Sequence, residues 1–134
     1  MSEQRSVLFI CVRNSGKSQM AAGLLAAQCG DRVRIDSAGT EPGTALNPQS
    51  VEALAEIGVD ISAGTPRPLT SELLAGADHV IVLGAEAQVD AGSVGVERWV
   101  TDEPSKRGIE GLERMRLVRD DIAARVEELA ARVG

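Results

Sequence analysis

The segment Ser6–Val12 reads SVLFICV, short and nearly all apolar. It has no alternation of polar and apolar residues, so it fits a strand covered on both faces, as in parallel sheets flanked by helices. Lys17–Cys29 (KSQMAAGLLAAQC) follows almost at once. It is rich in Ala and Leu and reads as a helix with a small-residue surface for close packing. Between the two lies a short polar loop. This strand–loop–helix unit constrains the fold more than any other feature of the chain.

The same alternation continues. Val33–Asp36 (VRID) reads as a second strand, stopped by SAGT. Asn47 and Pro48 are an N-cap and a first-turn proline. The helix they open carries Val51, Leu54 and Ile57 on one side and ends at Gly58. Thr70 caps a short helix over Ser71–Ala75. His79–Leu83 (HVIVL) is a third strand and Val96–Val100 (VERWV) a fourth. Ile109, Leu112, Met115, Val118, Ile122, Val126, Leu129 and Val133 recur at steps of three and four, as on one face of a long amphipathic helix. Helices alternating with buried strands imply an α/β fold with a parallel sheet covered on both faces. Loops are expected over Ala38–Leu46, Ala63–Leu69 and Ala91–Gly95. No repeat or linker interrupts the pattern.

The 134 residues are the length of one domain and suffice for a core without disulfide or metal staples. Phe9 and Trp99 are the only aromatics, so Val, Leu, Ile, Ala and Met must build that core. A net charge of −6 argues against nucleic acid or anionic membranes as partners, and it means that an anionic ligand needs a local positive site. Cys11 and Cys29 form no CxxC pair and no zinc pattern, and His79 is the sole histidine, so no metal site is expected. No signal peptide or spanning segment is read, and free thiols fit a reducing cytoplasm.

In open α/β sheets, ligands bind beyond the carboxyl ends of the strands. Cys11 stands at that end of the first strand. The backbone N–H groups of a loop over Val12, Arg13, Asn14, Ser15, Gly16 and Lys17, with the helix N-terminus behind them, form a cradle for a tetrahedral oxyanion. The same field favours a thiolate. Lys17 adds positive charge, and Ser18 offers a hydroxyl donor. Asn14 tolerates positive φ, and Gly16 leaves room for backbone to approach a ligand. Position alone favours Cys11 as a small buried hydrophobe; the loop composition shifts the balance to an anion cradle. The GKS at Gly16–Ser18 does not make a Walker loop, because the first glycine of that motif would have to stand where Cys11 is.

CVRNSGKSQMA resembles the phosphate loop of the low-molecular-weight tyrosine phosphatase fold. It is more similar to the arsenate reductases built on that fold, whose loop commonly continues into the S-Q-M-A found here at Ser18–Ala21. SAGT at Ser37–Thr40 and the pair Glu103–Pro104 before the last helix fit that family too. The resemblance spans essentially the whole chain. It implies a single domain over residues 1–134, a three-layer sandwich around a four-stranded parallel sheet in the order 2-1-3-4.

The departures are informative. The fold's usual loop has arginine where Lys17 stands, so charge survives but a two-pronged grip does not. Phosphatases of this fold carry rim tyrosines and an Asp-Pro acid; here there is no tyrosine, and the acidic residue before proline is Glu103. Thioredoxin-coupled arsenate reductases use two further cysteines after the third strand, one near the position of Gly84. This chain has no cysteine after Cys29, which a helix of twelve residues from Lys17 would place about 18 Å from the loop.

On all these points the chain resembles the actinobacterial arsenate–mycothiol transferases. The resemblance implies that arsenate binds in the loop and condenses with mycothiol, with no bound cofactor, and that a mycoredoxin reduces the adduct to arsenite. The expected catalytic residues are then Cys11, Lys17, Ser18 and Glu103. Cys11 attacks arsenic or activates the incoming thiol. Glu103 donates the proton for the departing oxygen, with Asp102 as its alternative. Arg13 faces solvent or reaches the anion. Arg67, in TPRPLT, is an exposed loop charge or a contact for the thiol. His79 is structural. Competing functions are a phosphatase of the same fold, an oxyanion-binding protein without turnover, and arsenate reduction with another thiol such as glutathione.

Overall fold

The computed structural model describes residues 4–89 and 95–134. Four parallel strands form one sheet: β1 (Arg5–Cys11), β2 (Val33–Gly39), β3 (His79–Leu83) and β4 (Val96–Trp99), in the order β2-β1-β3-β4. The helices are α1 (Lys17–Cys29), α2 (Pro48–Ala55), α3 (Ser71–Ala75) and α4 (Gly111–Val133), with 3-10 turns at Gly30–Arg32 and Pro104–Arg107. The expected α/β architecture and strand order are therefore observed.

Strand geometry divides the apolar residues between two cores. Successive side chains point to opposite faces. Val7, Phe9 and Cys11 of β1 join Ile81 and Leu83 of β3 on one side, under Met20, Leu25, Leu54, Ile122 and Leu129 from α1, α2 and α4. Leu8 and Ile10 join Val80 and Val82 on the other side, under Ala38, Ala87 and the partly buried Leu69, Leu73 and Leu74. β1 is central and buried on both faces, which is why SVLFICV carries no polar alternation. Phe9 and Trp99 meet with ring centroids 6.0 Å apart at an interplanar angle of 54°, the only aromatic pair such a composition allows.

Most boundaries agree with the expected ones, and the differences have local causes. β1 stops at Cys11 rather than Val12, because beyond Cys11 the backbone turns away to form the loop. β2 runs on through Ser37, Ala38 and Gly39, pairing Gly39 with Cys11, so SAGT continues the second strand instead of stopping it. Asn47 Oδ1 accepts from Gln49 N and Thr70 Oγ1 from Leu73 N, as both caps require. Past α2, Gly58 N donates to Ala55 O and Val59 N to Leu54 O, a Schellman closure at the expected glycine. Ile57 sits inside that closure and is 47% exposed, so it leaves the apolar face of the helix. β4 ends at Trp99, and Val100 is exposed. α4 begins at Gly111, leaving Ile109 in the turn before it. Of the loop expected over 91–95, only Gly95 is among the described residues.

The order β2-β1-β3-β4 puts a topological switch beside β1. The chain leaves β1 through α1 toward β2, then returns across to β3 on the other side. The crevice between the carboxyl ends of β1 and β3 is where such sheets bind ligands. Cys11 and Gly84 stand at those two ends. Among the described residues, no helix is long and apolar enough to cross a membrane.

Candidate active site

The loop after β1 has its carbonyls tied down from outside. Thr40 N donates to Cys11 O, Glu41 N to Val12 O, Gly43 N to Arg13 O and Asn47 N to Ser15 O, at 2.8 to 3.1 Å. The Asn14 carbonyl accepts from Gln19 Nε2 at 3.1 Å, and Gly16 O from Met20 N. With every carbonyl from Cys11 to Gly16 engaged, the N–H groups are left for the other side. Among the described residues, the N–H groups of Arg13, Ser15, Gly16 and Lys17 donate to no protein group. A curled loop with its donors free, leading into the first turn of α1, is an anion nest.

Gly39 makes the close packing possible. A Cβ there would stand 2.7 Å from Val12 O and 3.0 Å from the Arg13 carbonyl carbon. The SAG of β2 is thus spaced to let the segment that satisfies the loop pass beside it.

Asn14 is fully buried and has φ of 52°, the left-handed region that asparagine tolerates. Its amide orientation follows from its neighbours. The Arg67 backbone N–H donates to Asn14 Oδ1 at 3.0 Å, with Gln19 Nε2 at 3.3 Å, so the oxygen must lie on that side. Asn14 Nδ2 then donates to Ser18 Oγ at 2.7 Å. The Ser18 hydroxyl hydrogen is left to point at Cys11 Sγ, 2.9 Å away. Asn14 N donates to the same sulfur at 3.2 Å. Cys11 Sγ therefore faces two hydrogen-bond donors, which fix its position at the floor of the loop.

The loop floors a cleft of about 290 Å³. Cys11, Arg13, Lys17, Gly84, Glu86 and Arg114 are among the residues that line it, with Met115 and Val118 forming an apolar wall. Arg13, open to solvent, Lys17 and Arg114 supply positive charge in a chain of net charge −6. Gly84 has φ of 96° and donates its N–H to Trp99 O, while Arg98 clamps the Gly84 and Ala87 carbonyls. The backbone at the end of β3 is thus held where a residue with a side chain is strained.

Glu103 does not itself line the cleft; it stands behind Arg114, which does. The guanidinium makes a two-pronged pair with its carboxylate at 2.6 and 3.0 Å. That pair holds the Glu103 carboxyl below the usual carboxylate range, and Lys17 and Lys106 push the same way more weakly. Asp102 is turned elsewhere. It pairs with Arg107 on the surface, which lowers its carboxyl, and its N–H donates to Asp121 Oδ2.

The remaining singled-out residues lie away from the cleft. The Arg67 side chain ties Ser37 O to Asp36 Oδ1 rather than reaching the cleft. Asp78 Oδ2 accepts from Ser6 N at the start of β1. Cys29 is buried at the far end of α1, beside Gly134. His79 lies at the opposite end of β3 from the cleft. Among the described residues, no three His, Cys, Asp or Glu side chains gather as metal ligands would. Sequence reasoning passed over Gln19, Glu86 and Arg114. Of these, Arg114 carried a signal: a cation one step from Met115 on the long amphipathic helix, at the end that follows the Glu-Pro turn.

Comparison with known proteins agrees with this geometry. Residues 6–134 match the family model for low molecular weight phosphotyrosine protein phosphatase. Arsenate reductase 1 of Staphylococcus epidermidis is 33% identical over 98% of this chain and 99% of its own. The arsenate reductase of Bacillus subtilis is 35% identical over 96% of this chain and 96% of its own. The structure of a thioredoxin-dependent arsenate reductase from Corynebacterium glutamicum superposes with a TM-score of 0.80 at 32% identity; the match covers 98% of this chain and 63% of that one.

Proposed function

Because the chain belongs to the low molecular weight phosphotyrosine protein phosphatase family, we propose that it is an arsenate reductase that works by transferring arsenate to mycothiol. The arsenate reductase reading draws on relatives that match over nearly their whole length. The thiol assignment draws on this chain's own cysteines. A relay through a protein disulfide needs a partner for Cys11 at the cleft. The end of β3 offers Gly84 instead, in a left-handed conformation, and the only other cysteine is buried at the far end of α1. An external thiol must then supply the reducing sulfur. That observation carries the proposal.

In this reading the loop N–H groups and Lys17 hold the arsenate oxygens. Ser18 and Asn14 keep Cys11 oriented. Cys11 either attacks arsenic or activates the thiol, and Glu103 provides the proton for the departing oxygen. The apolar wall of Met115 and Val118 limits water around the reacting atoms. Mycoredoxin then acts on the arseno-mycothiol adduct. In this reading the protein works in the cytoplasm, together with mycothiol and mycoredoxin.

The test is arsenate-dependent NADPH consumption with mycothiol, mycoredoxin and mycothione reductase, comparing wild type with Cys11→Ser. Turnover requiring both mycothiol and Cys11 is expected. Turnover with thioredoxin alone would overturn the thiol assignment. Aryl phosphate hydrolysis without thiol, and no arsenate turnover, would favour a phosphatase.

A further inference from the structure

The Glu103–Arg114 pair sits in an unusual position for a proton donor. A glutamate gripped on both oxygens by a guanidinium is a carboxylate, and a carboxylate has no proton to give. Yet Arg114 also lines the cleft with Cys11, Arg13 and Lys17, where a tetrahedral oxyanion would offer it the same two-pronged partner. Lys17 is a point charge and cannot make that grip itself. One guanidinium is thus within reach of two competing anions.

We propose that Arg114 exchanges partners during the reaction: the incoming oxyanion draws it from Glu103, and Glu103 takes up a proton as it loses its cation. The inference rests on the reading of Glu103 as the acid. The chemistry then balances. A thiolate attacks dihydrogen arsenate, an As–S bond forms and one As–O bond breaks. The leaving oxygen takes the proton from Glu103 and departs as water, and arsenic stays pentavalent. Glu103, again a carboxylate, recovers Arg114 as the adduct leaves. Anion binding would therefore produce the acid only when there is a substrate to protonate.

The groups facing this pair all bear on its titration. Lys17 from α1 and Lys106 from the 3-10 turn oppose protonation of Glu103, as Arg114 does. Glu110 acts on Arg114. Glu86 and Arg13 line the same cleft, and the charge of a bound oxyanion favours a neutral Glu103.

Sulfate is a suitable probe, because it is tetrahedral and has no proton of its own to exchange near neutral pH. The Cys11→Ser protein keeps the sulfur out of the measurement. Calorimetry at pH 6 in two buffers of different ionisation enthalpy gives the protons taken up per sulfate bound. The expected result is net proton uptake on sulfate binding, present in Cys11→Ser and lost in Cys11→Ser/Glu103→Gln. Sulfate affinity is expected to fall about tenfold or more in Cys11→Ser/Arg114→Gln, with Arg114→Lys in between. Uptake that persists without Glu103 overturns the proposal. So does wild-type sulfate affinity in both Arg114 variants, each first shown to be folded by circular dichroism. No turnover is involved, so partner exchange can stand if arsenate reduction fails, and the reverse also holds.

Discussion

Asn14 Nδ2 donates to Ser18 Oγ at 2.7 Å, and this one hydrogen bond decides where the Ser18 proton goes. The serine oxygen is occupied as an acceptor, so its hydrogen is directed at Cys11 Sγ. The amide is itself fixed by the backbone N–H of Arg67, fifty-three residues away in sequence. The orientation of the candidate nucleophile thus depends on a chain of donors reaching from the loop after α2 into the core.

Asn14→Ala should therefore cost both stability and activity. Alanine in the left-handed region costs about 1–2 kcal/mol. Taking the acceptor from the part-buried Arg67 N–H and the donor from the buried Ser18 hydroxyl adds about 1–3 kcal/mol. A loss of roughly 2–5 kcal/mol by urea denaturation is expected. Asn14→Gly relieves the backbone but not the hydrogen bonds, so it should recover only part of the stability and little of the turnover.

Ser18→Ala separates the thiol from the loop more cleanly. Ser18 is fully buried, and alanine keeps the backbone. The Cys11 sulfur loses a hydrogen bond worth about 0.5–1.5 kcal/mol and keeps only that from Asn14 N. Iodoacetamide labelling of Cys11 at neutral pH should slow by up to about tenfold, since about 1.4 kcal/mol corresponds to a factor of ten. Unchanged labelling would show that the hydroxyl serves packing alone.

Gly39→Ala tests the strut behind the loop. Its methyl would lie 2.7 Å from Val12 O, and the nearest atoms are backbone, so β2 and the loop must move apart. Overpacking of this kind costs about 1–3 kcal/mol. The bonds from Thr40, Glu41 and Gly43 to the loop carbonyls would lengthen with it. Sulfate or arsenate binding measured by calorimetry should weaken more than the thermal stability suggests, because the nest is distorted directly.

The reach of the sequence follows from what is local. SVLFICV is buried on both faces because β1 is central, and the two caps, at Asn47 and Thr70, involve neighbours two and three residues on. The loop was legible because its donors lie within seven consecutive residues. Long-range pairings were not. Nothing near Asn14 announces that the Arg67 backbone will dock on its amide, and nothing near Glu103 announces Arg114. Those contacts exist only after the sheet orders its strands and α4 returns across the carboxyl ends. The role of SAGT was misjudged for the same reason: its glycine reads locally as a stop, but its close neighbour is the loop after β1.

The Glu103–Arg114 pair makes a prediction about pH in which the sign matters. The Glu103 carboxyl is lowered in the folded protein, chiefly by Arg114. In the unfolded chain it returns to about 4.3. Above that value both states carry the charge, and the folded state keeps the benefit of the pair. As pH falls through the folded value the carboxylate is protonated and the benefit is lost. Wild type should accordingly be more stable than Glu103→Gln at pH 7, and the two urea midpoints should converge as pH falls through the folded value of Glu103. Other lowered carboxylates, such as Glu56 with Arg116 and Asp78 with Ser6, are common to both proteins and cancel in the comparison. Both groups of the pair are partly exposed, so the stability difference is expected to be small. Turnover should respond quite differently: loss of a general acid costs about 10²–10⁴-fold. A large fall in rate with a small fall in stability would identify Glu103 as part of the chemistry, whereas parallel losses would make the pair a clamp that only holds the Glu-Pro turn against α4.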